Sequence, residues 1–210
     1  KTRGCPYKCT FCTTGNFDTS NRTEPQYRRE IRYLLNDLKF GALCFRDPTF
    51  FLKASTVMNV AELIYSIGNK KWKGQARGTF HRQYTPEQFK FMKKSGLTSV
   101  MFGVESGSQR MLDIMVKRVK RDDYIKSAEV LADLDIEMYA SFMFAMPRET
   151  VADLKETIKL GSLMGWDSDN PTATWGGLIG FMIGKDGVEK AFDRSFSEEY
   201  NIHRTRQNFP

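Results

Sequence analysis

The sequence predicts an α/β protein built on a parallel sheet. Three observations carry that prediction. Short apolar runs alternate with longer amphipathic runs along most of the chain. The apolar runs lack strict polar alternation, so they read as strands buried on both faces. The amphipathic runs open on capping residues and close on glycine, as helices do. Strand–helix alternation of this kind is the pattern of βαβ units. Right-handed crossovers then give either an open doubly wound sheet or a closed or partial barrel, and periodicity does not choose between them. In both, ligands sit at the C-terminal ends of the strands.

The elements follow in order. "TEPQYRREIRYLLNDLKFG" reads as a helix, with Thr23 as cap and Pro25 in its first turn. Ile31, Leu34, Leu35 and Leu38 share one face, and Gly41 stops it. "ALCFRD" (42–47) is a buried strand, and "VMNVAELIYSIG" (57–68) a helix burying Val60, Leu63, Ile64 and Ile67. "GQARGTF" (74–80) is a weaker strand. "TPEQFKFMKKSG" places Thr85 as cap, Pro86 at the first helical position and Gln88 in a capping box, with Gly96 as stop. "TSVMFGVES" (98–106) is a strand, followed over 107–134 by one or two helices, the second starting near Asp122. "IEMYASFMFAM" (136–146) is the clearest strand and "ETVADLKETIKLGSLMG" (149–165) the next helix. From Asp167 the rhythm fades. "DSDNPTATWGG" reads as a loop and "LIGFMI" (178–183) as a further strand. Residues 185–210 form a polar tail with one short helix near Val188–Phe192, so the expected division is a domain over 1–184 and a tail over 185–210.

Composition narrows the class. The chain has 210 residues, 40% hydrophobic and 27% charged, which suits one soluble globular domain with a sizeable core. No apolar stretch approaches the roughly 20 residues of a membrane helix. The net charge of +7 comes from scattered Lys and Arg with no interleaved aromatic platform, so it reads as a solvated surface rather than a nucleic-acid interface. The 4 cysteines do not make a disulfide framework, because three lie within eight residues; a reducing, cytoplasmic setting fits them.

Those three, Cys5, Cys9 and Cys12, have the spacing C-x3-C-x2-C. Three thiolates on one loop can hold three corners of a metal cluster. A structural zinc wants a fourth ligand, for which only the distant Cys44, His81 or His203 are available. A [4Fe–4S] cluster held by three thiolates keeps one iron open, which points to chemistry rather than to a staple.

The spacing, with Phe11 before the last cysteine, resembles the signature of the radical S-adenosylmethionine enzymes. "FRDPTFF" (45–51), "GVESGSQRMLDIMVK" (103–117) and "AMPRETVADLKETI" (145–158) resemble, in order, the second-strand, fourth-strand and fifth-strand segments of that family's cobalamin-associated branch. The resemblance covers about residues 1–165. It implies a partial (β/α)6-type barrel, with parallel strands inside and helices outside. It also implies a [4Fe–4S] cluster that cleaves S-adenosylmethionine reductively to a 5′-deoxyadenosyl radical. An electron donor of the flavodoxin or ferredoxin kind would supply the electron, and the substrate would be a small molecule or peptide. Cobalamin would come through a binding domain or subunit not in this chain.

The resemblance assigns Cys5, Cys9 and Cys12 to the metal and Phe11, Asp47, Arg77, Glu105, Ser106 and Met146 to S-adenosylmethionine. Each carries a plainer reading. Asp47 suits turn chemistry before Pro48 as well as a bond to the methionine ammonium. Arg77 suits a rim ion pair as well as the methionine carboxylate. Glu105 would contact ribose hydroxyls or cap the next helix, a task Ser106 or Ser108 can perform instead. Met146, with Met143, suits the core. Lys117 reads as compensation of a helix dipole, and Cys44 as a small buried apolar residue.

Two departures stand out. Ala145 and Arg148 occupy places around Pro147 where the family usually has glycine, and Ala145 would narrow the adenine slot. The cysteine loop also stands at the very start, so the expectation is a fragment or split gene product missing most of a first strand. Methylation with cobalamin, or another radical transformation, is the leading reaction. A methylthiotransferase is the near alternative, and it would need a second cysteine set. From a different class, the chain would be a non-catalytic iron–sulfur or zinc module.

Overall fold

Apolar residues at every second position along 71–76 and 97–105 pack one face of a sheet, and the helices between the strands cover that face. The computed structural model describes residues 2–163, together with 177, 180, 181, 183–190, 193 and 195. A short antiparallel pair, β1 (Thr2–Arg3) and β2 (Ser20–Asn21), brackets the cysteine loop. Then come α1 (Glu24–Arg32), β3 (Ala42–Cys44), α2 (Ala54–Ile67), β4 (Lys71–Ala76) and α3 (Pro86–Lys94). They are followed by β5 (Leu97–Glu105), α4 (Gln109–Ile114), α5 (Arg121–Asp133), β6 (Glu137–Phe142) and α6 (Val151–Leu163).

The third to sixth strands pack in the order β3-β4-β5-β6, and all are parallel. A doubly wound sheet reverses its strand order at a switch point; this one never reverses. Crossovers of one hand then place every helix on the same face, which is the build of a partial barrel. The other face, carrying Gln75, Met101 and Tyr139 in one row of the register, is the concave interior.

The helix-covered face holds the core. Trp72 is 1% exposed, stacks on Phe51 at 5.9 Å, and its indole N–H donates to Ser95 Oγ at 3.1 Å. Phe80 meets Phe51 at 5.0 Å and Phe102 at 5.8 Å edge-on, contacts worth about 0.5–1.5 kcal/mol each beyond burial. The capping box expected at α3 is present, with the Thr85 N–H donating to Gln88 Oε1 and the Gln88 N–H to Thr85 Oγ1.

Several expectations are corrected. The first helix gives way to a π turn over Tyr33–Asp37. The wider turn rotates later side chains off the buried face, and Leu38 is exposed. The strand expected over 42–47 stops at Cys44 and lies at the sheet edge, with Ala42 and Cys44 exposed on one face and Leu43 half-buried against the core on the other; Cys44 is exposed rather than buried. The strand expected over 74–80 spans 71–76 instead, and Gly78–Arg82 is a 3-10 turn. The strand expected over 136–146 closes at Phe142.

The chain divides into two compact units, Lys1–Pro171 and Thr172–Pro210. In the second, residues 180, 181 and 183–190 are helical, so the "LIGFMI" run is helical where it is described. A short apolar run alone does not distinguish strand from helix. The loop expected over 167–177 and His203 lie outside the described residues, Gly177 excepted. No helix among the described residues is long and apolar enough to cross a membrane.

Candidate functional site

The cysteine loop is shaped by its own backbone. Gly4 has φ +73°, and a side chain there would run into the Asp18 carbonyl at 2.6 Å, so the two ends of the loop close on each other. The Cys12 N–H donates to the Cys9 carbonyl at 3.1 Å, and the Thr10 N–H donates to the Met115 carbonyl at 3.0 Å. The second bond ties the loop to the segment after α4. All three thiols are partly buried.

Cys5, Cys9 and Cys12 line one cavity of about 470 Å³ over the C-terminal ends of the strands. Phe11, Arg77 and Glu105 line the same cavity, with Lys117, Arg46 and Thr49. Of the residues that sequence reading assigned, the three cysteines, Phe11, Arg77 and Glu105 are the six that the fold brings together. Asp47 is buried, but it lines a separate cavity of about 560 Å³ beside Cys44 and α1. Ser106 is fully buried in a hydrogen-bond set with Thr157 and the Ser108 N–H, joining the start of α4 to α6. Met146 lies in the turn before α6, its N–H donating to Glu149 Oε2 at 3.1 Å, and does not reach the cavity wall.

Glu105 is aimed by backbone distortion. The pairing of β5 with β6 slips between Gly103 and Glu105, and Glu105 takes φ 68°. Bulges and left-handed non-glycine residues of this kind gather at functional sites. The Met143 N–H donates to the Glu105 carbonyl at 2.8 Å, and Tyr124 Oη–H to the Gly103 carbonyl at 3.1 Å. Lys117 Nζ donates to Glu105 Oε1 at 2.9 Å. The space for this pair exists because Gly103 has no Cβ: one placed there would collide with the Glu105 carboxylate. Arg77, also buried, lays its guanidinium on the Tyr7 ring at 3.5 Å and donates to the Lys117 carbonyl.

The donor chemistry fits a metal cluster and a polar ligand. Burial opposes ionisation of the Cys12 thiol. Hydrogen bonds from the Thr14 side chain and the Thr14 and Gly15 backbone, with the charge of Lys117, outweigh it and hold the thiol below its usual range. A thiolate is the form that ligates metal. Thr49 Oγ1 is buried on the cavity wall without a hydrogen-bond partner among the described residues. An unmet hydroxyl costs about 1–3 kcal/mol, which a polar ligand would recover. Among the described residues, no three His, Cys, Asp or Glu side chains converge as one metal ion would need.

Sequence reading missed Lys117 and Thr49. Lys117 does not sit in a last helical turn facing solvent; it is 6% exposed and points inward. Nothing in its local pattern signals this, because the backbone bend that turns it inward involves Val116 and Arg118 at φ 54° each. Thr49 stood inside a segment already singled out, where only Asp47 drew attention. At the two departures, Ala145 and Arg148 both hold left-handed backbones, φ 57° and 71°, a conformation that glycine adopts without strain.

Comparison with known proteins agrees with this geometry. The family description "Radical SAM superfamily" matches residues 1–161. Over 178 residues the chain is 28% identical to an anaerobic magnesium-protoporphyrin IX monomethyl ester cyclase of Cereibacter sphaeroides, covering 82% of this chain and 28% of that protein. It is 27% identical over 170 residues to an uncharacterized methyltransferase of Pyrococcus horikoshii, covering 79% of this chain and 36% of that one. Among solved structures, the cobalamin-dependent S-adenosylmethionine radical enzyme OxsB superposes with a TM-score of 0.65 at 21% identity, over 76% of this chain and 25% of that one. The chain thus spans well under half the length of these relatives. A partial barrel, a three-cysteine loop over its strand ends and a family match across both lead to one conclusion: the chain belongs to the radical S-adenosylmethionine superfamily.

Proposed function

We propose that Cys5, Cys9 and Cys12 hold a [4Fe–4S] cluster, and that S-adenosylmethionine binds beside it in the same cavity. The observation that carries this reading is that three thiols from one loop share a cavity with Arg77 and Glu105 from the ends of two strands and with Lys117 from the segment after α4. With one electron from a donor, the two groups bound together would supply a 5′-deoxyadenosyl radical for hydrogen-atom abstraction. The chain's own residues hold and orient them. Phe11 covers the cofactor at the loop, Glu105 accepts hydrogen bonds from ribose hydroxyls, and Thr49 Oγ1 meets a polar group that enters the cavity. Arg77 braces the loop through Tyr7. Asp47, Ser106 and Met146 act from behind the wall, by shaping the segments that carry it.

The reaction class we favour is methylation with cobalamin, held by a domain or subunit outside this chain. The methyltransferase and cobalamin-dependent names among the relatives support it. A low-potential one-electron donor of the flavodoxin or ferredoxin kind, a small-molecule or peptide substrate and a reducing cytoplasm complete the proposal.

Anaerobic reconstitution with iron and sulfide tests it. The expected result is about four iron atoms per chain, formation of 5′-deoxyadenosine on adding S-adenosylmethionine and reductant, and loss of the iron in Cys9→Ala. A cluster without cleavage supports an iron–sulfur binding module instead. One tightly bound zinc and no iron supports a structural site, and iron content unchanged in Cys9→Ala removes that cysteine from the ligand set.

A further inference from the structure

The concave face of the sheet is not filled as a barrel interior is when it serves packing alone. Such interiors hold layers of bulky, branched apolar side chains. Here the face carries two mixed polar rows. In the upper row Gln75, Met101 and Tyr139 stand side by side on β4, β5 and β6 and line the cysteine-loop cavity. In the row beneath, nearer the strand starts, Lys73, Ser99 and Glu137 are in register on the same three strands. Residues two apart on a strand share a face, so this row also faces inward. Lys73 Nζ accordingly reaches across β5 to stand 5.9 Å from the centre of the Tyr139 ring. That ring is open to a ligand, since Tyr139 is 41% exposed.

The two charges of the lower row are opposite and not joined to each other. Lys73 has the Tyr139 ring as its neighbour and no carboxylate partner among the described residues. Glu137 Oε2 accepts from the Tyr139 hydroxyl at 3.1 Å and forms no ion pair among them. Both side chains are half-buried. Such charges lose hydration without the compensation that an ion pair gives. A ligand carrying one anionic and one cationic group supplies it to both. The strands bearing the two residues lie two spacings apart, about 10 Å. Two charge-assisted hydrogen bonds of about 3 Å, with an amine and a carboxylate on one carbon between them, suit a span of that size. A carboxylic acid alone would leave Glu137 unmet, and an amine alone would leave Lys73 unmet. Lys73 also stands four residues before Arg77, about 13 Å along the strand direction. A head group held at Lys73 therefore leaves room for a large side chain below the cysteine loop, against the polarizable Met101 and the Tyr139 ring.

We propose that the substrate is an α-amino acid with a large apolar side chain, a reading that rests on the cavity above being the cluster and nucleoside site. Lys73 takes the carboxylate and Glu137 the ammonium. The side chain lies on Met101 and Tyr139 and presents its far carbons to the cysteine loop.

The test uses the full chain reconstituted with iron and sulfide, without reductant. Binding of L-phenylalanine, L-tyrosine, L-tryptophan and L-leucine is measured by calorimetry. The tightest of the four is then compared with its decarboxylated amine and its deaminated acid. K73M is expected to weaken the amino acid and the acid about tenfold and to leave the amine unchanged. E137Q is expected to weaken the amino acid and the amine about tenfold and to leave the acid unchanged. K73R, which keeps the charge, should restore most of the affinity. K94M, which removes a cation lying over Tyr65 on the outer helices, should change none of them. Equal weakening of all three ligands in K73M and E137Q overturns the subsite, because a structural role would act on every ligand alike. A parent that takes up iron, cleaves S-adenosylmethionine and binds none of the four amino acids overturns the subsite and leaves the reading of the cysteine loop intact. A parent that takes up no iron overturns that reading and the substrate role together.

Discussion

The two sides of the parallel sheet differ in how firmly they aim their side chains. β5 has neighbours on both sides and buries Val100, Phe102 and Val104 on the helix-covered face. Its exit is fixed by the bulge, the Tyr124 and Met143 hydrogen bonds and the Lys117 pair, so Glu105 has one direction available. β3 has three residues and a single neighbour, and its inner face, with Ala42 and Cys44, is exposed. Three residues after it, Asp47 lines a different cavity from the cysteines. A conspicuous carboxylate after a strand becomes a site residue only where the strand and its surroundings hold it there.

Asp153 offers the largest break in this comparison. It accepts from Ser108 Oγ at 2.5 Å, from Thr150 Oγ1 at 2.6 Å and from Arg110, locking α6 to the exit of β5. Asp153→Asn should destabilise the fold by about 2 kcal/mol in urea titrations. The same residue sets an acid limit. The Arg110 guanidinium holds the Asp153 carboxyl well below the usual carboxylate range. A lowered folded-state value contributes stability above the ordinary Asp range, and this is lost as pH falls through the folded value. The melting temperature of the parent should therefore drop below about pH 4, with a flatter slope in Asp153→Asn.

A sharper test sets the two sides against each other directly. Glu105→Ala should weaken S-adenosylmethionine binding about tenfold, while Asp47→Ala stays within about twofold; the reverse order by calorimetry would return Asp47 to the site. The smallest effect belongs to the turn after β6, where Arg148→Gly should raise stability by about 1 kcal/mol by relieving a left-handed backbone. Its carbonyl bond from Arg110 survives the change.

Most helices and the central strand β5 were legible in the sequence because caps and apolar periodicity are local, while the central strand β4 was expected three residues late. Thr85, Pro86 and Gln88 announce α3 within four residues, and the structure keeps that box. The edges were less legible. "ALCFRD" and "IEMYASFMFAM" are as apolar as a central strand, yet β3 and β6 lie at the two ends of the sheet and expose their inner faces. Apolar composition records a tendency to be covered, and does not say whether a neighbour is there.

Within the site, the cysteines, Phe11, Arg77 and Glu105 were readable, since each stands in a loop motif or at a strand end. Lys117 was not, because its inward turn depends on two strained neighbours and on packing against Phe11 and Glu105.

By itself, the order of residues determined the parallel α/β class, the clustering of three thiols on one loop and the capped start of α3, since these rest on spacing and on local capping chemistry. Only the tertiary structure decided that strand order never reverses, which polar groups share a cavity with those thiols and which carboxylate faces them. Those outcomes depend on contacts between segments distant in sequence, where burial, charge pairing and strain are weighed together.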